Sequence, residues 1–423
     1  MVQKICMITL LVSTLSWSQQ DSITILEPTT LDVNSLTMEA MMKNPEIHAA
    51  LAQMDVMEAK VSQAGALDDP ELKFMREGMP GFQWNEAMYS RIELMQMFRF
   101  PTKLSTEKSL AEIRAEHAHH DHLEKINEVL SKLKSAYYEL WFVQQSLVLD
   151  QENIRLMRQF SQIATIKYGV GLVSQQDVLK SHIEIAMMSN DLLMLRQREL
   201  GAKVMLMALL NRQEKDTLGY AIIPDEIIFT PSLDTLEQLA LTMRPMLMHD
   251  SLMIAESETM RSMAKQEYLP DFKVGLERMT SPLDGFSGWS VTAGITLPFA
   301  PWTLGKANAR VEEADAGIQR ATFTYAASRN MVRSRIKDLY SKIIAEHQQL
   351  ESFRTGIIPQ ARQSLNVSLN AYQTGKTDFL MLIDAYRTLV NLTKDYFMTR
   401  MEFEQSIAEL EREVGYQDIA TLK

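Results

Sequence analysis

Two hydrophobic periods divide the chain. From Tyr89 to Phe100, Ile92, Leu94, Phe98 and Phe100 alternate with Arg91, Glu93 and Arg99. A period of two is the signature of a strand with one apolar face. It returns in Phe272, Val274 and Leu276, which alternate with Lys273 and Glu277. It returns again in Trp289, Val291, Ala293, Ile295 and Leu297, which alternate with Ser290, Thr292, Gly294 and Thr296. Elsewhere the period is seven. Ile126, Leu133, Leu140, Leu147 and Ile154 form one seam, joined by Leu123, Leu130 and Tyr137. A second seam runs through Ile336, Ile343, Leu350 and Ile357, joined by Val332, Leu339 and Phe353. Such heptads predict long helices packed as coiled coils. Residues 102–166 hold neither glycine nor proline, enough for a helix of about 100 Å. Pro359 lies near the far end of the second long helix, where it predicts a kink or local unwinding.

The pattern is written twice. Asn44-Pro45-Glu46-Ile47 and Arg244-Pro245-Met246-Leu247 each open a helix, and Pro70 and Pro270 each precede a strand. Both proline pairs share one offset. Tyr168-Gly169-Val170-Gly171 is matched by Tyr372-Gln373-Thr374-Gly375 at nearly the same offset. Each half therefore reads helix, two short strands, very long helix, tight turn, returning helix. The first half spans 35–215. It carries a helix from Met38 to Ala66, strands at about 71–78 and 89–100, a turn at 168–174 and a returning helix from Ser174 to Leu210. A linker occupies 216–235. The second half spans 236–415, with strands at about 271–279 and 289–298, a turn at 372–378 and a returning helix from Asp378 to Val414. Residues 416–423 form a tail. The fold class is mainly α with a small β part.

Composition narrows the function. Lys4, the apolar run Ile5 to Leu15 and the small residues Ser16 and Ser18 read as a secretory leader over residues 1–18. The single cysteine, Cys6, lies inside it, so the mature chain is expected to carry no disulfide or thiolate metal site. No later run is long and apolar enough for a transmembrane helix, so membrane residence would fall to the strands, whose length suits a tilted crossing. Net charge is −11 with both signs mixed, which argues against nucleic acid. No phosphate-loop, dinucleotide, hydrolase or metalloprotease motif is present, so neither an enzyme nor a cofactor is expected. Four strands cannot close a barrel, because open edges in hydrocarbon leave backbone groups unpaired. Copies must pool them.

The segments YGVGLVSQQDVL at 168–179 and YQTGKTDFLMLIDAYRTL at 372–389, in register with the two proline helix starts, resemble the outer-membrane efflux protein family, the TolC-like ducts. The resemblance covers about residues 35–415. It implies a homotrimer in the outer membrane of a Gram-negative bacterium. Twelve strands would form the barrel, continued by a helical tunnel through the periplasm. It also implies a periplasmic adaptor gripping the helical tips and an inner-membrane pump of the RND type. The tips would be Tyr168, Gly171, Leu172, Tyr372 and Gly375. Asp177, Lys376, Met381 and Asp384 fall at positions of the family's gate and pore constriction. The match is incomplete: Thr377 stands where the family's locking arginine belongs, and Met381 replaces one carboxylate.

Cargo has two candidate signals. His117, His119, His120 and His122 place half of the eight histidines within six residues, and imidazole suits Cu, Zn and Ni. There are also 29 methionines, whose thioethers suit Cu(I) but which equally fill helical cores. Together these point to the heavy-metal (CusC/CzcC-like) branch. Two rival readings use parts of the same pattern: a coiled-coil periplasmic or surface tether, and a periplasmic metal-binding protein built on the histidines.

Overall fold

The computed structural model describes residues 30–79, 81, 87–213, 218–225, 228–281, 285–298 and 300–419; the expected leader and Cys6 lie outside them. After a short strand β1 (Thr30–Leu31), helix α1 (Val33–Lys43) starts at Asp32, whose carboxylate accepts the Ser35 N–H. Helix α2 (Pro45–Gln63) follows, with Asn44 accepting the N–H groups of Glu46 and Ile47. The single helix expected from Met38 is thus two. Pro45 has no N–H to continue α1, and Asn44 turns extended to cap the next helix.

Strands β2 (Glu71–Glu77) and β3 (Tyr89–Phe98) lead to α3 (Pro101–Gly169), a helix of 69 residues. Helix α4 (Gln175–Leu209) returns along it. β4 (Tyr220–Ala221) lies in the stretch expected as linker and pairs in parallel with β1. The order then recurs as α5 (Leu233–Met243), α6 (Pro245–Gln266), β5 (Phe272–Thr280), β6 (Ser287–Ile295), α7 (Pro301–Ser352), α8 (Ile358–Gln373) and α9 (Phe379–Val414). Between α7 and α8 lies a π-helical turn at Phe353–Ile357, and the Ile358 N–H reaches the carbonyl of Phe353. Proline's missing N–H and its ring act on the turn before it. The irregularity therefore sits upstream of Pro359 while the helix continues.

The heptad seams make the core. Val129, Leu133, Tyr137 and Leu140 pack against Leu36, Ala40, Leu206 and Leu210. Ile336, Leu339, Ile343 and Leu350 pack against Leu236, Leu247, Phe403 and Leu410. Each fully buried leucine contributes roughly 1.5–3 kcal/mol. The Tyr137 hydroxyl accepts the Ile222 N–H at 2.9 Å and lies 2.7 Å from the Leu31 carbonyl, tying the β1–β4 ribbon to α3. Two buried ion pairs, Lys134 with Glu411 and Arg244 with Glu413, tie α9 to α3 and to the start of α6.

The four longer strands form one antiparallel sheet in the order β2-β3-β5-β6. Leu72, Leu94, Leu276 and Val291 lie in one row across it. The β3–β5 pairing joins the two halves of the chain.

Candidate functional site: an inverted sheet and two helical tips

Register fixes what each face of the sheet carries. One face presents Leu72, Phe74, Ile92, Leu94, Phe98, Phe272, Val274, Leu276, Trp289, Val291 and Ile295. All of these are exposed, with Leu72 at 70% and Val291 at 75%. The opposite face carries Lys73, Arg91, Glu93, Lys273, Glu277 and Ser290, of which all but Ser290 are half-buried. There Arg91 pairs with Glu77 at 3.3 Å and with Glu277 at 3.7 Å. A water-soluble sheet buries its apolar face; this one turns it outward. Among the described residues β2 and β6 each have one neighbour, leaving two open edges. No helix among the described residues is long and apolar enough to cross a membrane.

At the far end of the helices the two glycine turns lie together. Gly171 has φ +74° and Gly375 φ +73°, the left-handed conformation that closes a helix. The Leu172 N–H returns to the Lys167 carbonyl at 2.9 Å, and the Lys376 N–H to the Ala371 carbonyl at 2.8 Å. Asp378 then caps α9 by accepting the Met381 N–H at 2.9 Å. Tyr168 and Leu172 are exposed at the extremity. A cleft of about 710 Å³ between the turns is lined by Lys167, Leu172, Asp177, Tyr372, Lys376 and Asp378.

Tyr372 is nearly fully buried, against Phe379. Lys167 donates to its carbonyl and lies 4.4 Å from its ring. Its hydroxyl has no hydrogen-bond partner among the described residues, and burial together with the Asp177 carboxylate pushes its pKa up to about 12. Met381 and Asp384 stand exposed one turn apart on α9. Beyond them Arg387 grips Glu184 on α4 (Nε to Oε2 3.1 Å), and Lys394 pairs with buried Asp150 at 2.8 Å. Lys167 and Glu184 lie outside the segments 168–179 and 372–389, and Arg387, although within the second, carries no signal of its own there; only the folded meeting of the two hairpins reveals them.

The histidines do not gather on one face. His117 turns inward, with Nε2 3.2 Å from Glu256 and its ring 4.5 Å from that of His249 on α6. His119 and His120 stack edge to face at 5.5 Å, and His120 lies 3.6 Å from Glu116. Burial lowers the pKa of His117, His120 and His122, favouring neutral imidazoles. Among the described residues no three His, Cys, Asp or Glu side chains are arranged to hold a metal.

Residues 36–212 and 236–415 each match the sequence profile of the family described as outer membrane efflux protein. The chain is 20% identical over 392 residues to the cobalt-zinc-cadmium resistance protein CzcC of Cupriavidus metallidurans, covering 90% of each. Its fold is similar to that of CusC, a transmembrane channel, with a TM-score of 0.78 and 15% identity, covering 91% of this chain and 92% of that one. It is also similar to the open MtrE outer membrane channel of Neisseria gonorrhoeae, with a TM-score of 0.76 and 12% identity over 92% and 91% of the two chains.

Proposed function

Because the chain belongs to the outer membrane efflux protein family, we propose that three copies assemble into one passive duct. Each contributes four strands to a closed 12-stranded barrel and its long helices to a tunnel beneath. The observation that carries this reading is the inverted sheet, whose exposed leucines, valines and aromatics would be costly in water and are at home in lipid. The open edges of β2 and β6 are the natural joints between copies. On α4, Leu179, Ile183, Met187 and Met194 form an exposed apolar stripe at helical spacing, fit to pack against a neighbouring hairpin. The two halves then read as repeats over 35–215 and 236–415, joined through 216–235.

In this reading the loops of the sheet face outside the cell and the helices descend into the periplasm. The tips, with Tyr168, Gly171, Leu172 and Gly375 exposed and Tyr372 buried beneath them as their packing support, meet a periplasmic adaptor of an RND-type pump. Asp177, Lys376, Met381 and Asp384 line the constricted end. The duct needs no catalysis and no energy of its own; it is a path. The name of one relative, a cobalt-zinc-cadmium resistance protein, supports heavy-metal cations as cargo.

The test is the mass of the mature protein purified from outer membranes in detergent. A trimer that keeps its strands after mild heating supports the duct; a soluble monomer overturns it. For the cargo, deleting the gene should raise sensitivity to cobalt, zinc or cadmium more than to organic drugs. Unchanged metal tolerance would remove the metal assignment.

A further inference from the structure

Helix α1 packs beside the middle of α3 through Leu36 and Ala40, which lie buried in one cluster with Val129 and Leu133. Its opposite side is methionine. Met38, Met41 and Met42 are 64%, 47% and 71% exposed, so none of them fills the core, the ordinary use of this residue in helices. Residues three and four apart on a helix are neighbours, with Cβ atoms about 5–6 Å from one another. Met38 therefore stands one turn from both Met41 and Met42. Each sulfur lies two bonds beyond its Cβ on an unbranched, freely rotating side chain. Three thioethers can thus turn to one point above the helix.

The fold does not require them. In the second half α5 takes the same place, with Leu236 and Ala240 buried as Leu36 and Ala40 are. These pairs share the offset of Pro45 and Pro245. At that offset Met38, Met41 and Met42 become Gln238, Leu241 and Thr242. Two exposed polar residues and a half-buried leucine serve there. A lone apolar side chain on a surface is ordinary, whereas several on one face mark a contact. A protein partner would call for aromatic or arginine anchors. The outward face of α1 has neither, and Asn34 and Ser35 complete it.

Charge leaves this face open to a cation. Lys43 pairs with Glu39 at 3.0 Å, and Arg212 pairs with the same carboxylate at 2.5 Å. The hydrogen bonds from Arg212 and Lys43 hold the Glu39 carboxyl down to about 2, so it stays ionised beside the methionines. We propose that Met38, Met41 and Met42 form a three-thioether site for Cu(I). Thioethers are soft donors that select this ion over Zn²⁺ or Co²⁺. They carry no proton to displace, so binding here should not weaken in mild acid, as binding to imidazole would. The site stands on α1 alone and is independent of the barrel and of the tips.

The test uses the mature full-length protein in detergent with ¹³C-methyl methionine, under nitrogen, with Cu(I) kept reduced by ascorbate. The single variants M38L, M41L and M42L assign the three methyl resonances. These should move together and saturate at one ion per chain, equally at about pH 5.5 and about pH 7.5. Zn²⁺ should move none of them. M38L with M42L keeps the apolar bulk and should weaken binding about tenfold or more with melting unchanged. M38Q with M41L and M42T, which writes the residues of α5 into α1, should abolish it. Should one combination fail to fold, the other decides. Resonances that stay still in excess Cu(I), as they would if a neighbouring copy covered the face, overturn the site. So does an affinity unaltered in both combinations. Equal movement by Zn²⁺, or binding lost at the lower pH, overturns the thioether assignment and gives the ion to other donors. Conductance of the same sample reports on the duct separately, so a conducting protein that binds no Cu(I) on α1 contradicts this site alone.

Discussion

Lys167, at the end of the first long helix, donates to the Tyr372 carbonyl at the end of the second and lies 4.4 Å from its ring. One ammonium thus spans both turns of a single chain and closes the end of α8 with a charge-assisted bond. In the proposed duct this contact couples the two tips, so that a copy moves both hairpins together.

Lys167→Met removes the charge and the donor while keeping the stem. A half-exposed bond of this kind is worth about 1 kcal/mol. Single-channel recordings should therefore show more frequent or larger openings. Tyr372→Phe should change little, because the hydroxyl is buried without a partner among the described residues. Tyr372→Ala, which empties the space beside Phe379, should cost about 3–5 kcal/mol in tip stability. Equal effects of the Phe and Ala variants would contradict the packing role.

The turn glycines separate strain from contact. A Cβ on Gly171 or Gly375 meets nothing within 4 Å, so Gly→Ala costs only the left-handed backbone, about 1–2 kcal/mol. Melting should shift modestly in both variants. Adaptor affinity should fall by more than tenfold if these backbones touch the adaptor. A loss of affinity no larger than the loss of stability would leave the glycines as turn formers only.

The two faces of the sheet should respond oppositely to charge. Leu276→Arg sets a cation in the middle of the apolar face and should cost about 2–4 kcal/mol, seen as lost assembly in the outer membrane. Thr292→Arg, in the neighbouring strand but on the opposite face, should assemble normally and reduce cation conductance. Similar assembly of both variants would contradict the assignment of the faces.

His117 gives a pH dependence with a definite sign. Burial lowers its pKa from the ordinary 6.5, His249 adds to the lowering, and Glu256 and Asp121 oppose it. Arg114 shares Glu256, at 2.9 Å. The folded state therefore binds the proton less readily than the unfolded chain. The stabilising contribution is present above pH 6.5 and lost as pH falls through the folded pKa. Thermal melts in detergent should show stability falling from about pH 7 to about pH 5, with the slope reduced in His117→Gln. An unchanged slope in that variant would assign the acid sensitivity elsewhere.

Much of this was legible in the sequence. The heptads that run through Leu133 and Tyr137, and through Ile336 and Ile343, are the buried seams of the two halves. The alternation through Leu94, Leu276 and Val291 is the exposed face of the sheet. Local rules carried those features, because period and turn chemistry act over a few residues. Contacts between the halves were not legible. His117 faces His249 and Glu256 on α6 instead of joining His120, since burial against another helix outweighs proximity along its own. Lys167 meets Tyr372 only because two hairpins end at the same height. Pro359 signalled an irregularity, yet its place at Phe353–Ile357 follows from which carbonyl the proline ring crowds.

The central claim is that three inverted sheets close around a pore, and conductance of the purified mature protein in a planar bilayer tests it most directly. Discrete, cation-selective steps that vanish with Leu276→Arg are expected. A protein that inserts without discrete steps, or remains a soluble monomer, would contradict the account.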